Sequence, residues 1–215
     1  MKALVGCILG CLGAWLNAQT QNSFEGGLGL LRVNALPRQI YYPMERPSME
    51  FLNTLFFRAT TNAGNFRAMA GYVKYAYTFD PPPGSADFFS GDIESQDFRL
   101  GLGLQWPLKR FTKRLYFLTD GYCRKTLSSG HRYGGIMGVQ EYNTSVSNGA
   151  DLLLGLGIKL KLFKSVYLSP ELGYLCSNQF TKTLTRDLKT EKTYLRHSYD
   201  LNLHPLLNIY LSVGF

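Results

Sequence analysis

Tyr199-Asp200-Leu201-Asn202-Leu203-His204-Pro205-Leu206-Leu207-Asn208-Ile209-Tyr210-Leu211-Ser212-Val213-Gly214-Phe215 is the stretch whose pattern decides the fold. Counted back from Phe215, every second residue is apolar or aromatic: Val213, Leu211, Ile209, Leu207, Pro205, Leu203, Leu201 and Tyr199. The residues between them are polar or small, apart from Leu206. A period of two belongs to a β-strand with one wet face and one oily face. The run is longer than an ordinary globular strand and, when tilted, long enough to cross a bilayer.

Seven more segments of this kind precede it. They are predicted at 23–33, 50–60, 66–79, 96–107, 114–126, 149–163 and 166–177. The fourth and sixth are the cleanest. Phe98, Leu100, Leu102, Leu104 and Trp106 alternate with Arg99, Gly101, Gly103 and Gln105, and Leu152 to Leu162 alternate with Asp151, Gly155, Gly157, Lys159 and Lys161. In the third, Met69, Val73, Tyr75, Tyr77 and Phe79 are assigned to the oily face, with Ala70, Tyr72, Lys74 and Ala76 inward. The connections alternate long and short. The long ones, at 34–49, 80–95, 127–148 and 178–196, are rich in proline, glycine or polar residues.

Eight strands with alternating connection lengths predict an all-β fold, an eight-stranded antiparallel up-and-down transmembrane β-barrel with long external loops and short periplasmic turns. Eight strands enclose little more than packed side chains, so no open pore is expected. The alternative is a soluble eight-stranded barrel of the lipocalin kind, with the apolar face turned inward. The unbroken aliphatic face is too bulky for a small lumen, and the opposite face mixes glycine with Arg99, Asp151, Lys159, Lys161 and Glu171. Both features favour the membrane arrangement.

Composition agrees with a single domain of 215 residues, 22 of them glycine, with 14% aromatic and only 18% charged residues. The formal charge of +8 is scattered or gathered in turns, and no nucleic-acid module is visible, so nucleic acid is not an expected partner. Lys2 followed by the apolar run Ala3 to Leu16 predicts a signal peptide at residues 1–18, cut after Ala18, with the barrel domain at 19–215. Lipidation at Cys7 or Cys11 is the competing reading of that segment. Cys123 and Cys176 are assigned to the outer wall on non-neighbouring strands, too far apart to bridge.

The closing strand, with its terminal Phe215, resembles the last strand of Gram-negative outer-membrane β-barrels. The whole mature chain is similar in architecture to the small eight-stranded group that includes the OmpA transmembrane domain and the OmpX and OmpW types. The resemblance implies that Ile209, Leu211, Val213 and Phe215 form the signal read by the outer-membrane assembly machinery. It also implies contact with outer-membrane lipid, and a structural, adhesive or secretion-assembly role with a surface or periplasmic protein partner. A lipid-modifying barrel enzyme and a narrow solute channel are the alternatives.

The inward charges expected to build an interior polar network are Glu25, Arg58, Lys74, Arg99, Asp120, Arg124, Asp151, Lys159, Lys161, Glu171, Asp200 and His204. Buried charges must pair or stay hydrated. A gated polar path through them is the sharper reading of the same set. Catalysis would need a nucleophile beside a base. His197-Ser198 offers those residue types, but neighbours on a strand point to opposite faces. The remaining histidines are His131 and His204. No zinc motif, phosphate loop or dinucleotide fingerprint is present, so no cofactor or metal is expected. Phe79, Trp106, Phe163 and Phe215 are assigned to interfacial girdles.

Overall fold

The computed structural model describes residues 23–34, 48–61, 64–79, 89–108, 114–134 and 138–215. The segment read as a signal peptide, with Cys7 and Cys11, lies outside them, as do loop residues 35–47 and 80–88. Eight long strands carry the fold: β1 (Ser23–Asn34), β2 (Ser48–Thr61), β3 (Gly64–Phe79), β4 (Phe89–Pro107), β5 (Leu115–Gly134), β6 (Val139–Ile158), β7 (Val166–Asp187) and β8 (Thr193–Gly214). Beyond Lys159, Leu160 and Lys161 prolong the β6 ladder against Leu168 and Tyr167. Each strand pairs antiparallel with the next, and β8 returns to β1, closing the ring.

The ring is sheared. A ladder row from Glu25 passes Arg58, Arg67, Gly103, Asp120, Leu153 and Leu175 to His204. His204 lies beyond Leu206, the partner of Asn34, so the row returns to β1 past that strand's last residue. Such stagger is what tilts the strands of a closed barrel.

Burial settles which face is which. Leu100, Leu102, Leu156 and Leu203 are 67, 56, 49 and 66% exposed, whereas Arg99, Arg58 and Glu171 are 7, 2 and 2% exposed. In so narrow a ring the buried face is the lumen. The apolar side chains therefore face outward, the arrangement that oil as solvent requires and water forbids. Among the described residues no helix is long and apolar enough to cross a membrane.

The lumen is more apolar than its glycines and charges suggest. Phe56, Met69, Tyr116, Leu118, Tyr122, Leu153, Leu175, Leu206 and Tyr210 form a buried cluster inside it. Glycine makes room for these groups at two close approaches. A Cβ on Gly103 would strike the Asp120 carboxylate, and one on Gly157 would strike the Tyr116 ring.

The structure corrects the sequence reading in three places. In β3 the faces are inverted: Arg67 and Met69 are buried inside, and Tyr72, Lys74 and Ala76 are exposed outside. The aromatic run Tyr75 to Phe79 suggested oil-facing residues, but the ladder Lys74↔Gln96 and Val73↔Asp97 carries Val73 in with Asp97 and Lys74 out. Second, most of two predicted loops, 127–148 and 178–196, and the end of a third, 80–95, are strand. β4 starts at Phe89, β5 runs to Gly134 against β6 from Val139, and β7 and β8 pair as far as Arg186↔Thr193. On the outward face of those extensions Phe180, Leu184 and Leu195 are interrupted by Lys182, Arg186 and His197, so no unbroken oily stripe marked them. Third, β1 shifts register between Gly29 and Leu31 against both neighbours. The bulge turns Arg32 inward although it breaks the alternation from Gly29.

Candidate functional site

The inward faces bring two ionic clusters together. Near the short turns, β3 supplies Arg67, whose fork donates to both Glu171 oxygens from β7 at 2.6 and 2.9 Å. Its Nε lies 3.0 Å from Asp120 Oδ1 of β5, near enough to pair but out of line for a hydrogen bond. Tyr116 donates to Glu171 at 2.8 Å and Tyr122 to Asp120 at 3.2 Å. Beside them Arg58 donates to Glu25 at 3.0 Å, Lys159 also pairs with Glu25, and Ser212 donates to it at 3.3 Å. Three cations thus meet three carboxylates, with Arg67 over Tyr210 at 5.5 Å and Arg58 over Tyr116 at 5.6 Å. Bidentate arginine–carboxylate geometry and extra hydroxyl donors are what buried charge requires to be tolerated.

Further along the strands Arg99 forks onto Glu50 at 2.8 and 3.0 Å and reaches Asp97 through Nε at 3.0 Å. Arg124 and Thr126 also donate to Asp97, at 2.9 and 3.2 Å. Arg32 lies 4.0 Å from Glu50 and over the Tyr122 ring at 5.9 Å. Asp151 accepts from Ser177 at 2.6 Å. His204 is 5% exposed, and neither ring nitrogen has a hydrogen-bond partner among the described residues.

Of the twelve charged positions named from sequence, Glu25, Arg58, Arg99, Asp120, Asp151, Glu171 and His204 are buried in the lumen, with Arg124 and Lys159 at its margins. Asp200 is half-buried opposite Gln179. Lys74 and Lys161 do not belong to the interior. Lys74 is 54% exposed on the outer wall, paired with Glu94, and Lys161 is exposed at the short-turn end. Four members of the clusters were missed: Arg32, Glu50, Arg67 and Asp97. Parity would have found Glu50 from Arg58 and Asp97 from Arg99. Arg67 was lost with the inverted strand, and Arg32 is brought in by a bulge that alternation cannot show.

On the outer wall Asp92 and His131 are cross-strand partners, with Asp92 Oδ1 3.2 Å from His131 Nδ1. The imidazole stacks on Tyr133 at 5.9 Å and packs against Tyr142 at 4.9 Å. Ser129, two residues before His131, shares its face and borders a shallow groove of about 290 Å3 lined also by Leu127, Thr144, Val146, Glu94 and Gln96. His197 and Ser198 point to opposite faces: His197 stacks on Phe180 at 5.5 Å, and Ser198 lies opposite Thr181. Cys123 and Cys176 are free thiols on β5 and β7, with β6 between them. Trp106, Phe163 and Phe215 are all exposed at the short-turn end; the Phe79 side chain lies outside the described residues. Ile209, Leu211, Val213 and Phe215 share the outer face of β8, and Phe215 and Phe24 exchange backbone hydrogen bonds at 2.9 and 3.2 Å. Among the described residues no group of three His, Cys, Asp or Glu side chains could hold a metal ion.

A closed antiparallel ring of eight strands, oily outside and ion-paired within, is the fold of small outer-membrane β-barrel proteins. Comparison with solved structures agrees. The chain is similar to a major outer membrane protein from Thermus thermophilus, with a TM-score of 0.51, 14% identity, and coverage of 91% of this chain and 100% of that one. Two others align with lower scores. Ail, the attachment invasion locus protein of Yersinia pestis, gives 0.32 at 12% identity over 90% of this chain and 97% of that one. The translocator domain of the autotransporter NalP from Neisseria meningitidis gives 0.35 at 11% identity over 100% and 95%. At these identities the likeness is one of fold, and the first structure carries it. No protein-family model matches the chain, and no curated protein matches it.

Proposed function

We propose that this chain is an integral outer-membrane barrel, inserted after signal-peptide removal, that works through its outer wall and projecting hairpins and not through its lumen. The supporting observation is the interior. Arg67, Asp120 and Glu171, with the aromatic cluster around them, fill the ring across its width. A conducting path would have to break buried bidentate pairs, at about 3–5 kcal/mol for each partner removed. The role that fits is structural or adhesive: a rigid stave in the membrane that presents β5–β8 to a surface or assembly partner. In this reading Ile209, Leu211, Val213 and Phe215 are what the assembly machinery grips. Planar-bilayer recording tests it: the folded protein should give no discrete single-channel steps, and ohmic steps abolished by heat denaturation would refute it.

The outer wall supports a second reading, a lipid-modifying enzyme. Asp92 holds His131 by Nδ1, which leaves Nε2 to take the proton of Ser129 Oγ as that oxygen attacks an acyl ester in the groove. His131 would then give that proton to the departing alcohol as the ester C–O bond breaks, and water, with His131 again as base, would release the acyl group from the serine as a carboxylic acid. A fluorophosphonate probe should label Ser129 in the folded barrel and fail on Ser129→Ala. Absence of labelling in wild type removes this reading and leaves the first intact.

A further inference from the structure

One imidazole stands inside the ionic cluster of Arg99 without a partner of its own. His204 points inward from β8, is buried, and bonds through neither ring nitrogen to any described residue. A polar group left in that state costs free energy, so its presence calls for a physical account. The charges that act on it come from four strands: Arg32 of β1 most strongly, then Asp151 of β6, Arg124 of β5 and Arg99 of β4. Behind them stand Glu50 of β2 and Asp97 of β4, the carboxylates of those arginines. β3 adds no charge at this level, since Gly71 lies opposite Arg99 and Val73 opposite Asp97. β7 adds Leu175 and Ser177, the Tyr122 phenol lies under Arg32, and the next inward charge on β8 is Asp200. Arg32, Arg99 and Arg124 thus balance Glu50, Asp97 and Asp151, and a proton on His204 adds a fourth cation to that set.

The three carboxylates are unequally engaged. Glu50 takes the Arg99 fork at 2.8 and 3.0 Å and the Asn53 amide at 2.7 Å, which leaves Arg32 at 4.0 Å. Asp97 is shared by Arg99 and Arg124. Asp151 is held by the Ser177 hydroxyl and, among the described residues, by no arginine. A protonated His204 therefore has one carboxylate to turn to, Asp151, and one loosely neutralised cation to repel, Arg32. Arg32 belongs to the closing seam. β8 pairs with β1 as far as Val33↔Leu207 and Asn34↔Leu206, and His204 lies two residues further on. Pro205 shares the parity of Phe215, whose N–H and C=O bond to Phe24, so the N–H that proline lacks would have faced β1. The ladder has no donor there with which to continue, and the repulsion acts where the seam is held least. We propose that His204 is an acid-operated switch of the closing seam. Neutral, it leaves Arg32 against the cluster and the seam closed. Protonated, it takes Asp151 from Ser177, drives Arg32 off, and opens the last rungs between β1 and β8. Opening thus follows falling pH. The proposal asks nothing of the Ser129 chemistry and leaves the Arg67 cluster shut.

The test is dipolar broadening between two nitroxides across the seam, on Val33→Cys and Leu207→Cys in a Cys123→Ala/Cys176→Ala background, with the barrel folded in vesicles of neutral lipid. Between about pH 7.5 and about pH 5 imidazoles titrate while ordinary carboxylates stay ionised. The broadened fraction should fall by about half or more over that range, as a switch that changes its majority state requires. A control pair on Thr119→Cys and Leu154→Cys, cross-strand partners on β5 and β6, should not change. His204→Gln should keep the closed spectrum at both pH values, which separates His204 from His131 and His197. His204→Lys, a fixed cation, should give the open spectrum at the higher pH. Each variant is first checked for the heat-modifiable band of the folded form, and the His204→Gln comparison decides the matter if the lysine variant does not fold. A seam spectrum unchanged by acid overturns the proposal. The same acid change in folded His204→Gln also overturns it.

Discussion

β6 contains two different strands end to end. From Asp151 to Ile158, Leu152, Leu154, Leu156 and Ile158 face out while Asp151, Leu153, Gly155 and Gly157 face in. From Val139 to Asn148 hydroxyls and amides occupy both faces, yet the ladder to β5 and β7 continues without a break in register. In the first region the inside is held by ion pairs that water does not reach. In the second, short side-chain bonds such as Ser147 to Thr181 at 2.6 Å and Thr185 to Asn143 at 2.5 Å line a half-buried inward face. The backbone does not distinguish oil from water. What differs is how much each side chain's identity matters, because the penalty for a wrong group depends on the solvent it faces.

The largest expected effect breaks that contrast at its strongest point. Arg67→Met leaves Glu171 and Asp120 buried without their cation and should cost about 3–5 kcal/mol, read as a shifted urea midpoint of the heat-modifiable band in vesicles. The triple variant Arg67→Met/Asp120→Asn/Glu171→Gln should recover most of it; an unchanged midpoint in the single variant would mean the lumen is wet. Next, Leu154→Arg on the oily wall should cost about 2–4 kcal/mol, whereas Leu184→Arg on the extension of β7 should stay within about 0.5 kcal/mol. Equal costs in the same titration would place both sites in one solvent. Removing the Ser147–Thr181 hydroxyl pair by Ser147→Ala should cost about 1 kcal/mol, by the same measurement. The smallest effect lies at the tip. The Thr190 hydroxyl and the amides of Lys189 and Thr190 hold the Asp187 carboxyl below the usual range. Its contribution is therefore present above that range and lost as pH falls below about 4. Amide exchange at Lys189 and Thr190 should quicken there, and Asp187→Asn should remove the pH dependence.

The legibility of the chain follows the same division. Where a strand has oil on one side, as at Phe98 to Trp106 or Leu152 to Ile158, alternation alone predicted the strand, its faces and its inward charges. In β3 the outward face is built from Phe66, Ala68, Ala70 and Tyr72, while the inward face holds Met69, Val73 and Tyr75. With apolar residues on both sides the period survives and its phase does not. In the extensions of β4, β5, β7 and β8 the outward apolar residues, such as Phe180, Leu184 and Leu195, are interrupted by polar and charged ones, so hydroxyl-rich strand reads as loop. The outward Ser129, His131 and Asp92 escaped for the same reason, since they sit in a segment that carried no strand signal.

Composition, the period of two and the alternation of long and short connections determined the strand number, the closed antiparallel ring and the inversion of oil and charge. These are properties of single strands in sequence order, and each strand states them without reference to the others. Only the tertiary structure decided the pairings: that Arg67 of β3 meets Glu171 of β7, that a bulge brings Arg32 beneath Glu50, and that Lys74 stands outside. Those pairings depend on shear, which sets what lies opposite what across the ring. Shear arises from the closure of all eight strands together and is written in no one of them.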